Sequence, residues 1–593
     1  MGTHLISKLI NEAPLIKRTH WPVDGGYFSK KDGRIWFQPR PKGKKDIPPA
    51  LNVCAELKVV STTRDSTDCN YGYLVEWKTL SGKLRQRTIP AEMLQDNDGS
   101  ELRKTLANAG FEISTDPHAR RHLPAFIQAA APKDCFALCT NRLGWHDGIY
   151  ITPDGHIGDR NETTVFQRTG YVECALSQKG SPEAWIREVA GLASGNSRMV
   201  FAICCAFAAP LMHLCGEDSG GFHLVGASSS GKTTALHLAS SVYGRPSEYT
   251  RTWRATANGL EGIAALHNDG LLVLDELSQV DPKQAGDVAY MLGNGQGKTR
   301  ANQYGDARKA AKWRLLFLSS GEEGLESVMT STGQRMKAGQ SVRLVEIDAD
   351  AGASMGAVQE LHGHPSPAKL TLAMKEAAEK YHGAIGRKWL GYVVNNRAEL
   401  VDAIPEAMET ILEGWSCDKA CSQVYRVAKR FALVATAGEL ACVAGMTGWS
   451  PQQVNDAIKA CFISWKQSFG EGNREEDEIV ENMDSFFIQY GDSRFEDCKA
   501  PPERRIMDRL GFKTTLSVNG TAFIEYYLPP RVFKEYICTH YQVEVVSRIL
   551  KGKGILQPDS SGKNSQSLKF SNQNKQRYYV LRFEQGSSET SSN

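Results

Sequence analysis

A glycine-rich turn that ends in lysine and threonine is a residue set able to hold a chain of phosphates. Gly226-Ala-Ser-Ser-Ser-Gly-Lys-Thr-Thr234 has that composition, with the apolar run Phe222–Val225 before it and a helix-forming stretch from about Thr233. Glycines let the backbone curl tightly, and successive N–H groups converge where a helix begins, so the turn presents donors to an anion. In the order strand, turn, helix, the pattern predicts a nucleoside triphosphate site for ATP with Mg2+. Gly226, Ser230, Gly231, Lys232, Thr233 and Thr234 form the cradle. Lys232 is expected on the β- and γ-phosphates and Thr233 on the metal.

A second acidic element suits the same chemistry. Leu271-Leu-Val-Leu-Asp-Glu276 is an apolar strand delivering two carboxylates at its carboxyl end, the end at which open α/β sheets bind ligands. Asp275 is expected to complete the Mg2+ site through water, and Glu276 to polarise the attacking water as general base. Trp313-Arg-Leu-Leu-Phe-Leu-Ser-Ser-Gly-Glu322 reads as a further buried strand ending in hydroxyls. Ser320, with Ser319 as its competitor, is the candidate to orient that water beside Glu276.

The elements that must position these groups can be read around them. The runs Phe222–Val225, Leu271–Leu274, Leu315–Leu318 and Val342–Ile347 are short and apolar on both faces, as buried parallel strands are. Helical patterns between them predict an α/β fold with a parallel sheet covered on both faces. Residues 1–175 read as a β-rich N-terminal domain, with strands such as Tyr73–Trp77 and Gly148–Thr152 and a helical stretch near 118–130. The core is expected at 176–350, a helical region at 351–475, a C-terminal domain of short helices and strands at 476–584, and a polar disordered tail at 585–593.

Composition narrows the class. With 593 residues the chain exceeds one hydrophobic core, and with 41% hydrophobic and 23% charged residues it reads as ordinary globular protein. A net charge of +3 means that any polyanion footprint must be a local patch. The 14 cysteines include no CxxC pair, and Cys135/Cys139 and Cys417/Cys421 are spaced poorly for zinc, so reduced thiols in the cytoplasm are expected. The N-terminus shows no apolar signal region. Val200–Cys215 is the most apolar stretch, but it is short and contains Pro210 and His213, so it predicts a buried helix and no membrane contact.

The order of phosphate loop, Asp-Glu strand, serine-ended strand and arginine-initiated strand resembles the AAA+ ATPases. Trp253-Arg-Ala-Thr-Ala-Asn-Gly-Leu-Glu261, Leu274-Asp-Glu-Leu277, Leu318-Ser-Ser-Gly-Glu322, Lys337-Ala-Gly-Gln-Ser-Val-Arg-Leu344 and Arg430-Phe-Ala-Leu-Val-Ala-Thr-Ala-Gly-Glu-Leu440 narrow the likeness. Together they are similar to a bacterial family first catalogued as a domain of unknown function. Its members ride on mobile genetic elements such as staphylococcal cassette chromosomes, and some are described as MCM-like self-loading helicases. The resemblance covers about residues 50–470. It implies an AAA+ core with a helical lid, a winged-helix-like C-terminal domain and a homo-hexamer. Arg343 is then the finger that reaches the neighbour's γ-phosphate, with Arg335 as competitor. MCM proteins place a Ser-Arg-Phe triplet before this strand; here Val342 separates Ser341 from Arg343, and Leu344 replaces the phenylalanine. A second sensor arginine falls at Arg430 or Arg426.

The segment Lys298–Arg314 holds six basic residues and one acid around Gly305-Asp306, which predicts a positively charged β-hairpin. MCM-like helicases project such a hairpin into a central channel, where cations track phosphates without reading sequence. Arg308, Lys309 and Lys312 are the candidates for single-stranded DNA. Val543–Lys551 and the strand Tyr578–Phe583, flanked by Lys569, Lys575, Arg577 and Arg582, look like the last helix and wing of a winged helix able to meet duplex DNA. The expected function is therefore an ATP-dependent, ring-forming DNA helicase supporting replication of a mobile element. The alternative is a nucleotide-switched regulatory or defence ATPase that remodels protein or scaffolds DNA without unwinding.

Overall fold

The computed structural model describes residues 19–41, 47–95, 99–159, 162–166, 175–301, 307–308, 310–417, 421–469, 474–499, 506, 508–518, 521–539, 541–570 and 574–584. It divides into two compact units. One comprises Met1–Trp415 with Lys429–Phe462, and the other Ser416–Ala428 with Ile463–Asn593. The boundary thus falls within the helices Ser422–Val443 and Pro451–Phe469.

The first unit opens with an antiparallel meander of His20–Val23, Gly26–Lys31, Arg34–Pro39 and Leu51–Ala55. A five-stranded mixed sheet follows, in which Leu57–Arg64, Gly72–Lys78 and Leu84–Pro90 are antiparallel while Phe136–Thr140 and Thr163–Phe166 run parallel beside them. Alternation decides which side faces inward: Ile35 and Phe37 are buried on one strand, Val75 and Trp77 on another. They pack with Phe28, Leu102, Leu106 and Phe126 into one core. The helical stretch expected near 118–130 forms as Pro117–Arg120 and Leu123–Ala130.

The centre of the unit is a five-stranded parallel sheet: β1 Gly220–Val225, β2 Arg251–Thr252, β3 Gly270–Asp275, β4 Leu315–Gly321 and β5 Leu344–Asp348. Their order is β2-β3-β4-β1-β5, every neighbouring pair parallel. β4 is buried along its whole length, and β1 and β3 over all but their ends, as expected of strands covered on both faces. All five carboxyl ends therefore lie along one edge. From β1 the chain leaves for β2 at the far side, whereas from β4 it passes beyond β1 to β5, so the connections diverge beside β1, where ligands of such sheets bind.

Helices flank this sheet: α1 Ser197–Ala208, α2 Lys232–Ser241, α3 Ala257–Leu266 and α4 Pro282–Asn294. Their ends follow local chemistry. The Thr256 side chain accepts from Gly259 N at the start of α3. Asp281 caps α4 ahead of Pro282, and Gly295, with φ +68°, ends it. The break expected near Gly195 is present, with φ +71° there and α1 starting at Ser197. The span Ser197–Cys215 is long and apolar enough to cross a membrane, yet 83% of it is buried inside the protein, so it serves as core. Helices α5 Pro367–Lys380, α6 Ala384–Asn395 and α7 Arg397–Gly414 follow β5.

In the second unit, α8 Arg474–Tyr490 and α9 Val543–Gly552 accompany a sheet of Phe495–Asp497, Gly511–Val518, Thr521–Leu528, Leu556–Gln557 and Gln576–Glu584, with Gln566–Leu568 paired to the last of these. Its core joins Ile479, Phe486, Leu528, Val546, Leu550 and Leu581. The expected tail, 585–593, lies outside the described residues.

Candidate active site

Gly226–Gly231 leaves the carboxyl end of β1 and turns into α2. Two residues in it, Ser229 with φ +62° and Gly231 with φ +93°, adopt the left-handed region, which tightens the turn. Lys232 is 7% exposed. Its ammonium donates to the carbonyls of Gly226 and Ala227, each at 2.7 Å, and to Ser230 Oγ at 3.4 Å, so the loop curls around a positive charge. A second loop backs the first: Ala357 N donates to Ser230 O at 2.8 Å. Gly356, with φ +64°, lies so close to Ser230 that a side chain there would strike its carbonyl. Arg198, 4% exposed, fixes that second loop through the carbonyls of Asp348 and Asp350, both at 2.9 Å.

A cavity of about 550 Å³ lies against the phosphate loop, lined by Ser229–Thr234, by Met355, Gly356 and Val358, and by Ser366, Pro367, Ala368, Thr371 and Lys375 at the start of α5. That volume is in the range of small-molecule sites. A larger hollow of about 640 Å³ lined by Glu323, Glu326, Ser327 and Glu346 lies elsewhere and is acidic, which suits no phosphate.

Asp275 ends β3 and Ser320 lies near the end of the adjacent β4, where its hydroxyl donates to Asp275 Oδ1. Ser320 also stands level with Leu224 of β1, so the phosphate loop and the carboxylates share one sheet edge. The hydroxyl expected to face water beside Glu276 is thus committed to Asp275. Ser319, the competitor, points to the other face, as period-two alternation demands. It accepts from Trp253 Nε1 at 2.8 Å and bonds His223 Nδ1 at 2.9 Å. Glu276 sits just past the strand with φ +62°, and Ser278 Oγ donates to its Oε1 at 2.5 Å.

The remaining residues are not brought to this edge. Arg343 enters the amino end of β5; its guanidinium stacks over Tyr290 at 4.2 Å and donates to Gly339 O at 2.8 Å. Arg335 is exposed. Arg430, expected on the nucleotide, is 7% exposed and donates to Val342 O at 2.9 Å. It fills the space beside Gly220 at the amino end of β1. The length of β1, roughly 16 Å at 3.3 Å per residue, separates it from the phosphate loop, so its position is one of core packing. Arg426 is exposed in the second unit. The basic hairpin forms with Arg300–Ala301 antiparallel to Ala307–Arg308. Arg308 therefore pairs with Arg300 within the ladder. Lys309 lies outside the described residues, and Lys312 is exposed at the base opposite Gln296. The sequence reading missed Arg198, Gly356 and Lys375, which are not marked by any motif.

Beneath the site, His223 is wholly enclosed and links the strands: Trp253 donates to Ser319, and the second ring nitrogen of His223 meets Glu323 O at 3.0 Å. Burial pushes its pKa from 6.5 down to about 4, and does the same for His267, whose Nδ1 meets Ile263 O. The unfolded chain takes up these protons below its ordinary histidine pKa, the folded chain only near 4. Stability is complete above 6.5 and is lost as pH falls through that window. At 1.36 kcal/mol per pKa unit, the enclosed His223 costs about 3 kcal/mol of stability by pH 4, and the partly exposed His267 costs less. Urea denaturation at pH 7.5 and pH 5.0 is expected to show a lower midpoint at the acid value; equal midpoints contradict the burial assigned here.

The fold is mixed α/β, with a parallel sheet of a kind that fits nucleotide-binding proteins. Residues 28–313 match a family described as Domain of unknown function (DUF927). Among solved structures, SCCmec type IV Cch, described as an active helicase, aligns over 96% of this chain and 98% of its own, with a TM-score of 0.66 and 18% identity. The two chains share a fold through nearly their whole lengths. The apo C-terminal region of NrS-1 aligns over 86% of this chain and 96% of its own at 10% identity, with a TM-score of 0.25. No curated protein matches in sequence.

Proposed function

We propose that the protein is an ATP-dependent DNA helicase or translocase that works as a ring of identical subunits and serves replication of a mobile genetic element. The observation that carries this reading is the phosphate loop beside Asp275 and Ser320 on one edge of the parallel sheet, in a chain that shares its fold with a helicase. Lys232 and the N–H groups of the loop bind the triphosphate, and Lys232 exchanges its carbonyl partners for phosphate oxygens. Thr233 and Asp275 hold Mg2+, which when bound offsets phosphate charge. Among the described residues no cluster of three or more His, Cys, Asp or Glu side chains exists to hold a metal alone; this donor set suits an ion that keeps its waters and shares the phosphates. Ser320 fixes the Asp275 carboxylate, and Glu276 takes the proton of the attacking water.

Arg343 serves the site of the neighbouring subunit, in an AAA+ arrangement of the MCM-like kind. The helices after β5 act as the lid over the nucleotide. The hairpin bearing Arg308, Lys309 and Lys312 tracks single-stranded DNA through its phosphates, and the second unit is a winged-helix-like domain open to duplex DNA. Its α9 followed by antiparallel strands supports that reading.

Unwinding of a forked DNA with ATP tests the proposal. The wild type is expected to separate the strands, with the activity lost in Lys232→Ala and reduced in Lys309→Ala and Lys312→Ala. ATP hydrolysis indifferent to DNA, without strand separation, would replace this reading with that of a protein-remodelling ATPase.

A further inference from the structure

The cavity beside the phosphate loop is charged on one side only. Lys232 and Lys375 are its ionisable lining groups, and no carboxylate lines it among the described residues. Lys375 comes from α5, far in sequence from the loop. Ala368, Thr371 and Lys375 lie at spacings of three and four, so they share one helix face, and all three line the cavity. The neighbouring stripe, Leu370, Met374 and Ala378, is buried.

Both ends of α5 are tied down. Ser366 caps its first turn by accepting from Lys369 N. One turn beyond Lys375, Glu379 accepts from Arg245 Nε and Ser247 N, each at 2.8 Å. Arg245 and Ser247 belong to the turn that follows α2, so α5 is clamped along the helix that the phosphate loop begins. Burial first, and then the charge of Lys375, lowers the pKa of His237 on α2, while Asp275 and Glu379 act to raise it. Lys375 is half-buried, and among the described residues no carboxylate pairs with it. A lysine ordered in this way and left without an anion is a group prepared for one.

We infer that Lys375 is a second cation of the nucleotide site, contacting the phosphates nearer the ribose from the helix that follows β5; this rests on the nucleotide reading above. The assignment to the inner phosphates follows from the lining. Asp275, Glu276 and Ser320, which surround the bond to be broken, do not line this cavity, whereas Thr234, one residue further into α2 than the metal-holding Thr233, does. Lys375 therefore meets the part of the nucleotide that ATP and ADP have in common.

The test is calorimetric titration of the full-length protein with ATP and with ADP, for wild type, Lys375→Ala, Lys375→Arg and Lys232→Ala. Lys375→Ala is expected to weaken ATP and ADP alike, by about tenfold or more, which corresponds to 1.4 kcal/mol. Lys375→Arg is expected to restore most of the affinity, since it restores the charge. Wild-type affinity in Lys375→Ala alongside lost binding in Lys232→Ala overturns the inference and leaves the nucleotide reading standing. Equal weakening in Lys375→Ala and Lys375→Arg with a lowered melting temperature also overturns it, as the role is then packing. A wild type that binds neither nucleotide removes both.

Discussion

Glu276→Gln is expected to bind ATP as tightly as the wild type and to hydrolyse it about 10²–10⁴-fold more slowly, the range for removal of a general base. The position explains why the loss should fall on chemistry alone. β3 ends at Asp275, and the next residue turns into the left-handed region at φ +62°, so Glu276 leaves the alternation of the strand and presents its carboxylate at the sheet edge. A glutamate held there carries roughly 1–3 kcal/mol of backbone strain. Glutamine keeps the backbone, the shape and the bond from Ser278 Oγ to Oε1, and loses only the capacity to take a proton. Asp275→Asn separates the roles, because it is expected to weaken Mg2+-dependent binding as well as turnover. Single-turnover phosphate release, measured beside nucleotide affinity, checks the pair. Release by Glu276→Gln at the wild-type rate would remove the base from this residue.

The central sheet was legible because its information is local. Phe222–Val225, Leu271–Leu274 and Leu315–Leu318 are each apolar on both faces, and each became a buried parallel strand. Strand alternation also separated Ser320 from Ser319, which sequence left as competitors: one bonds Asp275, the other Trp253 and His223. What sequence could not supply was the direction of side chains from distant elements. Arg430 and Lys375 both lie on amphipathic helices, and nothing in their neighbours distinguishes them. Packing sends Arg430 to Gly220 and the carbonyl of Val342, away from the phosphate loop, and sends Lys375 into the cavity. Arg198 was hidden for a related reason. A basic residue opening the apolar run of α1 reads as a helix end, and only the fold shows it holding the carbonyls of Asp348 and Asp350.

Arg343→Ala is expected to lower turnover by about 10³–10⁵, the range for loss of an arginine finger, with nucleotide binding preserved. The geometry determines which site it can serve. Gly221 N donates to Arg343 O at 2.8 Å, and Gly221 pairs with Leu344, so Arg343 lies at the amino end of the strands. The phosphate loop begins at the other end of β1, about 13 Å away at 3.3 Å per residue, and the guanidinium is turned aside onto Tyr290. Arg343 therefore cannot reach the nucleotide of its own chain, and the effect requires a second copy docked head to tail. Mixing two inactive proteins, Lys232→Ala and Arg343→Ala, then distinguishes the arrangements. In a random mixed ring about a quarter of the heterologous interfaces join an intact Lys232 to an intact Arg343, so ATPase activity is expected to reappear on mixing at roughly that fraction of wild type. A site complete within one chain gains nothing from mixing, and lack of recovery in rings shown to contain both proteins would take the finger role away from Arg343.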